Sequence, residues 1–143
     1  MSTTVQVILD EGYKVRAHTA THVLIADEPI DLGCTDLGPA PYELLLSSLG
    51  ACTVITMRMY ATRKGIPMEG VQVELSHEKV YRKDCEECTD DRPGTQKIDR
   101  ITRSIRMTGP MTDEQRAKML EIAGKCPVHQ TLKSSTLIHD ELV

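Results

Sequence analysis

Cys126 stands directly before Pro127. A residue that precedes proline is pushed out of the helical region, while proline itself suits a first helical turn, so Cys126 is expected at the cap of a short helix starting at Pro127. Orphan N–H groups and the positive helix end favour the thiolate there, and the thiolate is the form that attacks. Cys52 has the opposite surroundings, in mid-helix among Leu49, Ala51, Val54 and Ile55. Burial favours the neutral thiol, and Cys52 needs a neighbouring cation to become a nucleophile. On helix position alone Cys126 is the more reactive, with a buried inert cysteine as the ordinary alternative for each. His129, three residues after Cys126, either touches that thiol on the same turn or is a surface histidine.

Cys85-Glu86-Glu87-Cys88 is a C-x-x-C pair, with His77 on the preceding strand. Such a pair supplies two zinc ligands, a redox couple or nothing beyond a loop. A structural zinc site wants four ligands, usually from two such pairs, and there is no second one, so a reversible disulfide or a plain exposed loop ranks above metal. Cys34, shortly before the long helix, reads as a loop thiol that lies near the site or has no role. No Gly-rich phosphate loop, H-E-x-x-H or G-x-S-x-G occurs, which removes the usual nucleotide, zincin and serine-hydrolase readings. Thiol chemistry remains, with no cofactor and no metal expected.

The chain that must position these groups has 143 residues, the size of one domain, here residues 1–143. With no Trp or Phe, core volume falls to Leu, Ile, Val and seven Met, which fill irregular gaps. A net charge of −4 with mixed signs and no basic stripe argues against a nucleic-acid partner. The N-terminus lacks a charged region followed by an apolar one, and the run from Leu44 to Ile55 is shorter than the roughly 20 residues that cross a bilayer. A cytoplasmic protein with no membrane partner is expected, in which an odd number of cysteines points to free, reactive or metal-binding thiols.

Val5–Leu9, Tyr13–His18 and His22–Ala26 read as three strands, the first two joined by the turn Asp10-Glu11-Gly12. A helix is expected from Pro41 to Lys64, started by proline and stopped by Gly65 and Pro67. Its first half has almost no polar face and should be buried all round. Within it Glu43 is a second ionisable group that needs a partner or a job. Strict alternation from Val71 through Val80-Tyr81 and the strand Ile98–Met107 make an antiparallel hairpin around a polar loop, residues 83–96. Thr112 and Gln115 form a capping box for a second helix, and Thr136–His139 reads as a last strand. The order βββαββαβ is an α+β fold.

Three stretches, Gly38-Pro39-Ala40-Pro41-Tyr42-Glu43-Leu44-Leu45, Ala51-Cys52-Thr53 and Cys126-Pro127-Val128-His129, together resemble the OsmC/Ohr family of small thiol peroxidases. The resemblance spans nearly the whole chain. It implies an OsmC-like fold in which antiparallel sheets wrap two central helices of an intertwined homodimer, with a site on each side of the interface. It implies that Cys52 attacks the O–O bond of an organic hydroperoxide, that Cys126 resolves the resulting sulfenic acid as a disulfide, and that a dithiol reductant restores both. It makes Glu43 the group that orients an arginine holding Cys52 as thiolate. In the family that arginine comes from the turn joining the first two strands; here the turn is Asp10-Glu11-Gly12, and of the nearest cations, Lys14 and Arg16, Arg16 takes the role. The alternative is a non-catalytic member that binds a small hydrophobic or thiol ligand at the interface.

Overall fold

Apolar and polar residues alternate over Val15–His18, short apolar runs lie on either side in the sequence, and three short antiparallel strands result. They are β1 (Gln6–Leu9), β2 (Val15–His18) and β3 (Val23–Ala26), hydrogen-bonded in that order. The computed structural model describes residues 2–143, and the chain divides into two compact units, Met1–Ser47 and Ser48–Val143. In the first, the buried Asp27 carboxylate ties down the loop that follows β3. It accepts the Thr35 hydroxyl and the N–H groups of Glu28 at 2.8 Å and Leu37 at 3.2 Å. These bonds, that from Thr35 foremost, hold Asp27 below the usual carboxylate range. Glycine is required at position 38, where a Cβ would lie 2.3 Å from the Ile25 carbonyl oxygen.

Helix α1 (Pro41–Lys64) begins and ends where proline and glycine place its limits: Pro41 occupies its first turn, and Gly65 follows its end with φ 65°. Its buried residues are Leu49, Gly50, Thr53, Met57 and Ala61, which form one stripe. The first half is therefore not buried all round. Tyr42 and Ile55 are exposed, as is Met59 further along, because a helix packed on one side covers only the residues that recur every three or four positions. By length and composition alone α1 would suffice to span a bilayer, yet its Met57 and Ala61 enter the core of the second unit.

That core joins Met57 and Ala61 to Met68, Met111, Met119 and Ala123, so four methionines do the filling that Phe and Trp do elsewhere. It draws on β4 (Gly70–Tyr81), β5 (Lys97–Thr108) and α2 (Asp113–Ala123), after which comes α3 (Pro127–Lys133). Strands β4 and β5 pair without interruption from Gly70 opposite Thr108 to Tyr81 opposite Lys97. The covered positions are 71, 73, 75 and 77, then 80; on β5 they are 98, then 101, 103, 105 and 107. Alternation thus slips by one near the loop end, where the expectation was strict period two. The loop beyond is organised by Arg82, whose Nη2 donates to the carbonyls of Cys88 and Asp90 at 2.8 and 2.7 Å. Arg92, with Arg82 assisting, holds Asp90 well below the usual carboxylate range.

Helix α2 opens on the expected capping box: Thr112 Oγ1 accepts from Gln115 N at 3.1 Å, and Gln115 Oε1 accepts from Thr112 N at 3.0 Å. Thr112→Ala leaves the Gln115 N–H an orphan donor and is expected to cost about 1 kcal/mol, read as a lower urea midpoint at unchanged slope. The last strand is absent. Residues 135–143 form no regular element, and Leu137 and Ile138 are exposed, because among the described residues no sheet edge pairs with them. Among the described residues two sheets and three α-helices make the expected α+β fold.

Candidate active site

Cys126 caps α3 as its position before proline requires, with extended φ −65° and ψ 142°. Its sulfur, fully buried, accepts from His129 N at 3.3 Å. Cys52, half-buried on α1, accepts from Val128 N at 3.5 Å. Two sulfurs separated by 74 positions therefore rest on adjacent amides of a single helical turn.

Beside them stands Arg103, half-buried on β5. Its Nη1 donates to Thr53 Oγ1 at 2.9 Å and to the Ala123 carbonyl at 3.1 Å. Its Nη2 donates to His129 Nδ1 at 2.8 Å. Thr53 in turn donates to the Leu49 carbonyl at 2.7 Å and touches Cys126 Sγ at 3.8 Å. One guanidinium thus holds α1, α2 and α3 together at the two thiols, and its charge sits against the residue next to Cys52. A guanidinium only donates, so His129 Nδ1 must accept and the ring is neutral with its proton on Nε2.

Burial, followed by the charges of Arg103 and Lys133, pushes His129 below its ordinary range. The unfolded chain then binds a proton more readily than the folded one. The contribution of this group is fully present above the ordinary histidine range and is lost as pH falls through it. Comparing urea midpoints of the parent and His129→Gln between pH 7.5 and 5, at about half-unit steps, is expected to show the steeper loss in the parent. Equal slopes would contradict the assignment.

Cys34, in the first unit, donates to the Leu32 carbonyl at 3.7 Å; burial and then the charges of Asp27 and Glu28 push its thiol up, which suits an inert group. Glu43 accepts from Ala40 N at 2.8 Å, closing the first turn of α1 as a capping carboxylate does. Arg16 pairs with Asp10 across the first turn. The guanidinium found beside Cys126 and Thr53 is that of Arg103, which residue-by-residue reading passed over. Its signal was present: Arg103 interrupts the apolar set Ile101, Ile105 and Met107 on the covered side of β5, where an unpaired charge is costly.

Cys85 and Cys88 are joined in a disulfide, and among the described residues no group of three or more His, Cys, Asp or Glu is arranged to hold a metal ion. The disulfide lies in the wall of a cavity of about 410 Å³ whose other lining includes Leu49, Ile98, Arg103, His129 and Leu132.

A family model described as OsmC-like protein matches residues 34–139. The chain belongs to this family, OsmC/Ohr, which includes organic hydroperoxide resistance proteins. No curated protein matches it. Among solved structures it is similar to an OsmC-like protein from Mycoplasma pneumoniae, at 20% identity and a TM-score of 0.72, covering 93% of this chain and 88% of that one. It is similar also to an organic hydroperoxide resistance protein OsmC from Legionella pneumophila, at 16% identity and 0.65, covering 93% and 90%. For the organic hydroperoxide resistance protein OhrB of Bacillus subtilis the values are 13% and 0.60, with 93% and 91% covered. At these identities the likeness is one of fold.

Proposed function

We propose that the protein is a thiol-dependent peroxidase that reduces organic hydroperoxides and works as a homodimer. The observation that carries this reading is the placement of Cys52 and Cys126 on adjacent amides of one turn, beside a guanidinium. Cys52 is the attacking sulfur because it is partly open, whereas Cys126 is fully buried. Its thiolate attacks the distal peroxide oxygen; the O–O bond breaks, the alkoxide takes a proton and leaves as alcohol, and Cys52 becomes a sulfenic acid. Cys126 then displaces water from that sulfur to form the disulfide. A dithiol reductant returns both thiols. Arg103, bonded to Thr53, favours negative charge in this small region and fixes the three helices that must stay in register.

Support for the dimer comes from α1, whose Ile55 and Met59 are 56% and 68% exposed in the single chain. An apolar face of this kind on a long helix suits a second copy of the same helix. Stopped-flow mixing of the reduced protein with cumene hydroperoxide tests the activity, and a burst of one peroxide per chain without added reductant is expected. The second reading, a ligand-binding protein without turnover, rests on the apolar part of the cavity wall, Leu49, Ile98 and Leu132. It requires a small molecule retained in native mass spectrometry together with no burst.

A further inference from the structure

The cavity beside the site has a disulfide in its wall that the proposed peroxidase cycle leaves unused. Cys85 and Cys88 line it from the 82–96 loop, and Arg103 and His129 line it from the site. Helix α3 separates the two sulfur pairs: His129, Leu132 and Lys133 face the cavity, while the amides of Val128 and His129 hold Cys52 and Cys126. We propose that Cys85 and Cys88 are a dithiol–disulfide relay, which accepts electrons from an external dithiol and passes them to the Cys52–Cys126 disulfide. The proposal rests on the peroxidase reading for the origin of that disulfide.

Three features argue for it beyond the cavity that this disulfide lines together with Arg103 and His129. Cys85 and Cys88 are half-buried and already paired, so the couple exists in its oxidised form within one tight loop that Arg82 braces through the Cys88 carbonyl. Arg103 and Lys133 stand in the same wall, and a neighbouring cation favours the thiolates that exchange requires. Finally, α3 buries none of its residues. Its hold on the site includes the two N–H···S bonds, which joining the two sulfurs to each other would disturb. Oxidation of Cys52 and Cys126 therefore loosens the helix that stands between the two pairs.

The exchange balances. A reduced Cys85 or Cys88 thiolate attacks the more open sulfur, that of Cys52, and releases Cys126 as thiolate, which takes up a proton. The second thiol of the pair gives up its proton and attacks the mixed bond, restoring Cys52 and leaving Cys85–Cys88 oxidised. One disulfide and two thiols stand on each side. An external dithiol then reduces Cys85–Cys88 and is itself oxidised.

The test needs no peroxide. Full-length protein is oxidised with diamide, mixed with dithiothreitol, and the return of the Cys52 and Cys126 thiols is followed by timed alkylation and mass spectrometry. The Cys85→Ser/Cys88→Ser variant is expected to recover them at least about tenfold more slowly than the parent. The single variants Cys85→Ser and Cys88→Ser, each left with one thiol of the pair, are expected to trap a peptide in which that thiol is bonded to Cys52. Recovery at the parent rate in the double variant, or no such peptide from either single variant, overturns the relay. Exchange seen in a protein that ignores cumene hydroperoxide would remove the peroxidase reading and leave the relay standing; failure of diamide to join Cys52 to Cys126 removes both.

Discussion

Cys52→Ser is expected to abolish hydroperoxide consumption, with a fall of roughly a thousandfold or more in the second-order rate, because a serine hydroxyl at this position has no adjacent base to ionise it. Serine differs from cysteine by one smaller atom, so the fold and the α3 turn should persist and the loss should be confined to chemistry. The variant that separates attack from resolution is Cys126→Ser. Cys52 can then attack once, but nothing condenses with its sulfenic acid, so a single burst should appear without a disulfide, and the sulfenic acid should be trapped by dimedone. If Cys52→Ser consumes peroxide at the parent rate, the assignment of the attacking sulfur is wrong. A burst missing in Cys126→Ser but present in Cys52→Ser would exchange the two roles, as the helix-cap argument alone would have had it.

The second large effect belongs to Arg103. Arg103→Met removes a charge and three hydrogen-bond donations, to Thr53, the Ala123 carbonyl and His129. Loss of a preorganised donor at a reacting centre costs about 10² to 10³ in rate, and kcat/KM for cumene hydroperoxide is expected to fall by that order. Some destabilisation should accompany it, since an under-satisfied carbonyl and a half-buried histidine are left behind, at about 1–3 kcal/mol. Stability and rate can be told apart with Arg103→Lys. A lysine keeps the charge but lacks the fork that reaches three acceptors, so it should recover part of the rate while remaining as unstable as the methionine variant. Equal rates for lysine and methionine would mean that Arg103 acts only by holding the three helices together.

How these residues became visible differs from one to the next. The limits of α1 and the capping box of α2 were legible because each depends on residues within one turn: Pro41 and Gly65 for the first, Thr112 and Gln115 for the second. The extended cap at Cys126 was equally local, a consequence of Pro127. The faces were not legible to the same degree. An apolar run such as Leu44–Ile55 says that a helix has something to bury, but which stripe is covered depends on the elements packed beside it, and Ile55 stays open while Thr53 is fully enclosed. The segment around Leu137 and Ile138 has the composition of a strand, yet a strand exists only where another edge accepts its hydrogen bonds.

Arg103 shows the division most plainly. Its partners lie 50, 26 and 20 positions away, beyond the reach of any spacing rule, and its place on the covered side of β5 marks it only as a charge in want of company. Taken alone, the order of residues determined the α+β layout, the helix limits and the local setting of each thiol, since those follow from backbone sterics and the nearest side chains. Tertiary packing decided that amides of one turn of α3 hold both sulfurs, that the cation bonded to Thr53 comes from β5, and that the C-x-x-C pair lines a cavity together with Arg103 and His129. Contacts between distant segments are set by how whole elements bury their faces, and that is settled only when the chain has closed on itself.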